Sequence, residues 1–124
     1  MQSKVLTFNI TGEQARKLFA AAQSCGAEVS AISQADFEQP LGALLGALPR
    51  KNAVCLTPFG EKMLIMCGFS RAQMEQFLDI LKKEQVTIPY KAMLTPTNLT
   101  WQCDALVREL VKEHAQIQQM RGQS

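Results

Sequence analysis

The sequence is poor in the residues that usually advertise chemistry. It holds one histidine, His114, and four cysteines, Cys25, Cys55, Cys67 and Cys103, with no Cys-x-x-Cys pair among them. Structural zinc sites are built on closely spaced ligand pairs, so no metal is expected, and no motif calls for another cofactor. Nor is a disulfide framework expected in a chain this rich in apolar residues; four buried free thiols behaving as small hydrophobes are. A net charge of +2 is too small to point to a nucleic-acid or membrane partner. The first apolar stretch is broken by Lys4, Asn9 and Thr11, which leaves no signal-peptide core. No run approaches the roughly 18 apolar residues of a spanning helix. A cytoplasmic location is therefore the expectation.

What is present is a chain of 124 residues, 47% hydrophobic and 19% charged, which reads as a single globular domain over 1–124. It repeats itself. After Thr11, apolar side chains recur at Ala15, Leu18, Phe19 and Ala22; after Ser70 they recur at Met74, Phe77, Leu78 and Leu81, each 59 residues beyond its counterpart. Around each helix the same grammar holds. Lys4 to Ile10 alternates as a strand, with Leu6, Phe8 and Ile10 on the face assigned to the helices and Val5, Thr7 and Asn9 on the other. Thr11 with Gln14 and Ser70 with Gln73 each form a capping-box pattern. Gly26 ends the first helix, and Lys82 and Lys83 suit the negative end of the second. Glu28 to Ile32, Met63 to Cys67 and Val86 to Leu94 read as the remaining strands, the last with Val86, Ile88, Tyr90, Ala92 and Leu94 on one face.

Two strand–helix–strand units, over about 4–32 and 62–94, fit the ferredoxin-like split βαβ plan: an internal duplication folded into a four-stranded antiparallel sheet. A doubly wound parallel sheet is the competitor. The first and third strands, being the more apolar, belong at the centre; Glu28, Ser30 and Pro89 mark the other two as edges. Between the units, about 33–61, Phe37, Leu41, Leu44, Leu45 and Leu48 recur at helical spacing, followed by a short strand over Ala53 to Thr57. A further helix over about 97–119 carries Cys103, Leu106, Leu110 and Ile117 inward, with Asp104 and Arg108 as an outward i,i+4 pair. The two additional helices, or a second subunit, are expected to cover the sheet face left bare, so the chain is a monomer or a homodimer.

The stretch from Lys91 to Trp101 is the most unusual. It leaves the last strand through Thr95, Pro96, Thr97 and Asn98 and meets the single tryptophan at Trp101. Lys91, Thr95, Thr97, Asn98 and Trp101 are the candidate ligand-binding residues, because hydroxyls, an amide and a helix N-terminus beside a lysine can hold an anion or a small polar ligand. The same residue types are also the preferred helix caps, which accounts for the run structurally. This run, with Leu106, Glu109, Leu110, Glu113 and His114 after it and Gly68-Phe69-Ser70 before it, resembles a small bacterial family known as domain of unknown function 3783, over roughly Met63 to His114. The resemblance implies a bacterial cytoplasmic protein and transfers no activity.

No paired carboxylate, Ser/His or Cys/His arrangement or metal cluster is legible. His114 and Glu113 are adjacent on one helix and do not face each other. An RNA-recognition reading fails on the lack of displayed aromatics, since Met63 to Cys67 has none and Phe8 is assigned to the helix side. The expectation is a non-catalytic regulatory or interaction module that binds a protein or a small ligand. The alternative is a small enzyme acting on an anionic metabolite at the Lys91, Thr95 and Asn98 junction.

Overall fold

The apolar run Met63–Cys67 forms β3, in which all five side chains are apolar and buried. It pairs antiparallel with β1, Lys4–Phe8, so that Leu6 stands opposite Ile65. The computed structural model describes residues 2–52 and 54–122, with side chains through Gln118. The sheet is completed by β2, Glu28–Ala31, and β4, Tyr90–Met93, in the order β2-β1-β3-β4. β2 runs parallel to β1, and β4 runs parallel to β3.

The sheet is therefore mixed, not antiparallel. The central antiparallel pair is the expected one, but each edge strand lies beside the first strand of its own unit. In the split plan the edges would be exchanged. Both arrangements place the same residues at the centre and the edges, so the apolar pattern cannot tell them apart. The difference lies in which backbone edge each crossover strand reaches.

Helix α1, Gly12–Ser24, and helix α3, Arg71–Lys83, have equal length and begin at positions 59 apart, as do β1 and β3. The backbone repeats in detail. Asn9 and Gly68 both take positive φ where strand turns into helix, and Gly26 and Gln85 both do so where helix ends. The offset grows to 62 between β2 and β4, because Thr87, Ile88 and Pro89 lengthen the second connection. Each helix's first-turn glutamine is held by the other unit. Gln73 Nε2 donates to the Cys25 carbonyl at 2.8 Å and Ser3 Oγ donates to Gln73 Oε1 at 2.9 Å. Lys62 Nζ donates to Gln14 Oε1 at 3.2 Å, with Gln14 Nε2 directed to the Thr87 carbonyl at 3.5 Å. The expected capping boxes are only half made. Ser70 accepts from the Gln73 N–H, Thr11 makes no side-chain cap bond, and both amides serve the opposite unit instead.

The helix-side core joins Val5, Leu64 and Met66 to Leu18, Ala21 and Ala22 of α1 and to Phe77 and Leu81 of α3. This reverses the expected facing of β1. Asn9, in the left-handed region, ends the strand's alternation, so Ile10 falls on the side of Val5 and not that of Phe8. Leu6, Phe8, Met63, Ile65 and Cys67 occupy the other face and are fully withdrawn from solvent. Burial, and not assignment to the helix side, is what withholds the Phe8 ring. At Pro89 the alternation expected through Val86–Leu94 also breaks: Val86 and Ile88 enter the helix-side core, whereas Tyr90 and Ala92 align with Met63 and Ile65 on the opposite face.

The chain separates into two compact units: residues 1–34 with 60–94, which carry the sheet, and residues 35–59 with 95–124. In the second, the expected leucine-rich helix shrinks to α2, Leu41–Leu44, preceded by a 3₁₀ turn at Gln34–Asp36. Gly46 takes φ +77° and ends it, and the Ala47 and Leu48 N–H groups both turn back to the Gly42 carbonyl. Phe37 stacks on Phe59 with centroids 4.4 Å apart. Of the expected strand over 53–57, Ala53 lies outside the described residues and 54–57 form none, Cys55 donating its N–H to the Ala35 carbonyl. Helix α4, Cys103–Gly122, buries Cys103, Leu106 and Val107 and pairs Asp104 with Arg108 at 3.3 Å. Ile117, expected inward, is 51% exposed, because α4 is exposed from Lys112 through Gln118.

The glycines of α2 generate a contrast. A Cβ on Gly42 would lie 2.7 Å from Leu48 Cγ and 3.1 Å from the Leu99 carbonyl oxygen, whereas one on Gly46 would meet nothing but a left-handed backbone. Gly42→Ala is expected to destabilise by about 1–3 kcal/mol through overpacking, and Gly46→Ala by about 1 kcal/mol through its φ alone. Urea denaturation of the two variants checks both; equal, negligible losses would contradict the packing at Gly42.

Candidate functional site

The residues singled out between Lys91 and Trp101 divide between the two units. Lys91 is an exposed residue of β4, and its Nζ donates to the Ile88 carbonyl at 2.7 Å. Thr95, Thr97, Asn98 and Trp101 belong to the other unit, where Asn98–Thr100 forms a 3₁₀ turn ahead of α4. Thr95 and Asn98 cap each other. The Thr95 N–H donates to Asn98 Oδ1 at 2.8 Å, and the Asn98 N–H donates to Thr95 Oγ1 at 3.0 Å. Asn98 is buried, whereas Thr97 is exposed and makes no side-chain cap bond. Trp101 is 36% exposed; its carbonyl accepts from the Leu41 N–H.

The donors that would recommend this turn for an anion are engaged. The first two N–H groups of α4, from Cys103 and Asp104, donate to the carbonyls of Gln39 and Phe37. Gln39, itself buried, exchanges two 2.8 Å bonds with the backbone of Lys51. An anion here would have to displace internal hydrogen bonds, each of which leaves a buried group unsatisfied when broken.

The thiols are poorly placed for nucleophilic work. Burial pushes Cys67 up to about 11, against a small opposing effect of Lys4. Burial first, with the charges of Asp104 and Asp36 adding to it, pushes Cys103 up to about 12. Burial also raises Cys25, which is half-buried at the end of α1. A thiol held protonated is a weak nucleophile. His114 is exposed, with its Nε2 3.3 Å from Gln118 Nε2 one turn on. Among the described residues no three His, Cys, Asp or Glu side chains gather in a way that could hold a metal ion, and no helix is long and apolar enough to cross a membrane.

A concave feature does exist, and of its residues the sequence singles out only Lys91 as a candidate for binding. At the C-terminal end of α3 a groove of about 320 Å³ is lined by Leu78, Leu81, Lys82, Gln85, Val86, Thr87, Ile88 and Lys91. Its lining is mainly apolar, with Leu78 partly open beside the buried Leu81, Val86 and Ile88, and its charge comes from Lys82 and Lys91. The three residues that lengthen this connection relative to the first unit, Thr87–Pro89, supply two of its neighbours. Only a comparison of the repeats at this turn could have drawn attention to it beforehand.

Residues 62–117 match the family model described as Domain of unknown function (DUF3783). The matched segment is a little under half of the chain. It begins just before β3 and ends within α4, so it contains the whole groove as well as the Thr95–Trp101 turn. No curated protein and no solved structure matches the chain.

Three outcomes follow. Asn98→Ala should cost about 1 kcal/mol through the lost cap, and Thr95→Ala combined with it should cost less than the sum of the two singly, since the bonds are reciprocal; additive losses in thermal denaturation would contradict mutual capping. Native protein at pH 8 should yield its Cys25 thiol to Ellman's reagent well before Cys67 and Cys103. Because the folded state keeps protons on Cys67 and Cys103 that the unfolded state, near 9, has released, stability should fall between about pH 9 and 12. A C67S/C103S variant that loses stability as steeply over that window would remove the thiols as the cause.

Proposed function

We propose that the protein is a non-catalytic binding module and that the groove at the end of α3 is its ligand-binding surface. The carrying observation is an asymmetry inside a repeated fold. At positions corresponding to Leu78, Leu81, Lys82, Gln85 and Val86 the first unit has Phe19, Ala22, Gln23, Gly26 and Ala27, and opposite Lys91 it has Val29. Two such similar strand–helix–strand units are read as copies of one ancestor. The backbone plan is common to both, so whatever only the second copy carries is not needed to build that plan. The second copy alone carries the three additional residues and both lysines, and the groove opens where they stand.

The volume supports a small ligand over a macromolecule, because it stands at the lower end of the range for small-molecule sites. The site's chemistry supports binding over turnover. Its walls are aliphatic, its charged groups are ammonium ions on flexible stems, and a general base within hydrogen-bond reach of a bound molecule is missing from its lining. Of the residues first singled out, Lys91 is the one this reading keeps at the site. A cytoplasmic setting and a bacterial source accord with the reading and are proposed with it.

The test is a metabolite and fragment screen by thermal shift, followed by backbone amide NMR on every hit. Binding to the native state raises its apparent stability. Hits are expected to perturb the amides of Leu78, Lys82, Val86, Thr87 and Lys91. Hits that perturb only the Thr95–Trp101 turn, or a screen in which no class of compound perturbs the groove, would overturn the proposal.

A further inference from the structure

Resting on that reading, we infer that the ligand is a small monoanionic amphiphile: a carboxylate joined to an apolar chain or ring. Three observations select this chemistry. The groove's lining is mainly apolar, with Leu78 partly open beside the buried Leu81, Val86 and Ile88, which favours a hydrocarbon body. Four of the backbone acceptors around it are already occupied. The carbonyls of Leu81 and Lys82 receive the N–H groups of Val86 and Gln85, that of Glu84 receives Lys17 Nζ, and that of Ile88 receives Lys91 Nζ. What the rim offers a newcomer is therefore mainly donor and positive. Lys91 keeps two ammonium N–H groups beyond the one given to Ile88, and among the described residues neither it nor Lys82 has a carboxylate partner.

The third observation separates a carboxylate from a phosphate. Phosphate sites draw on clustered backbone N–H groups at the N-terminus of a helix. This groove lies at the C-terminus of α3, the negative end of the peptide dipoles. A dianion would meet that field with twice the repulsion of a monoanion and would find no amide cluster to offset it. One negative charge held between two flexible ammonium groups is what the rim accommodates.

Octanoate is a suitable probe, with 1-octanol and octylamine as matched neutral and cationic controls, each kept below the concentration at which it aggregates. The full-length protein is titrated with each while the groove amides are followed by NMR. Octanoate is expected to bind with a dissociation constant of about 1 mM, as befits a ligand of this size, more weakly as sodium chloride is raised. Lys82→Gln and Lys91→Gln should each weaken it by about two- to fivefold, the contribution of an exposed charge pair, and together bring it to the level of octanol. Lys82→Glu should reverse the order and favour octylamine. Because Lys91 also holds the Ile88 carbonyl, the Lys82 variants carry the decision if Lys91→Gln loses stability. Equal binding of octanoate and octanol would overturn the anion assignment and leave the groove reading intact. Failure of all three to move the groove amides would overturn the amphiphile assignment, while the groove reading itself falls only if the wider metabolite and fragment screen also leaves those amides unmoved.

Discussion

The antiparallel pairing of β1 with β3 is the constraint on which the rest of the sheet depends. Each of these strands is the only partner of one edge strand, so the four strands exist as a sheet only if the central pair forms. The register sets Leu6 against Ile65, which are equivalent positions of the two units, and pairs the remaining residues symmetrically about them. Equivalent residues meeting across an antiparallel ladder is what a local two-fold axis requires. From that one register it follows that α1 and α3 lie on the same face and that their side chains share one core. It also follows that the first-turn glutamine of each helix can reach the opposite unit, as Gln14 and Gln73 do.

Symmetry of this kind makes departures from it informative. Where Asn9 faces the job of Gly68, and Gln85 that of Gly26, a different residue meets the same backbone demand; a non-glycine residue in the left-handed region costs about 1 kcal/mol that its surroundings must offset. Asn9 has such support, its Nδ2 donating to the Glu61 carbonyl at 2.9 Å. Where Thr87, Ile88 and Pro89 are added and lysines replace Gln23 and Val29, the demand itself differs. The first kind of difference preserves the fold. The second has no such explanation, and it coincides with the groove.

The Lys91–Trp101 run illustrates how a polar motif can be legible without its role being so. Hydroxyl, amide and lysine side chains are the same atoms whether they hold a ligand or a turn. Thr95 and Asn98 spend their side chains on each other's backbone, and the amides opening α4 are spent on Phe37 and Gln39, far away in sequence. Sequence spacing of three predicts the first exchange; nothing local predicts the second. The groove was illegible for the opposite reason. Leu78, Leu81, Val86 and Ile88 look like core residues in any pattern, and whether such residues close completely or leave a cleft depends on how the connection after α3 is laid down.

The sequence alone determined that there are two strand–helix–strand units at a spacing of 59, that β1 and β3 are central, that α1 and α3 are amphipathic, and that the four cysteines are free thiols. Those properties are set by local periodicity, by apolar content and by the absence of ligand pairs. Only the tertiary structure decided that the sheet is mixed, which face of β1 meets the helices, that the leucine-rich segment yields one helical turn, and where the surface is concave. These rest on long-range backbone pairing and on single residues in the left-handed region at Asn9 and Gly46, each of which changes the direction of everything after it without changing the pattern that precedes it.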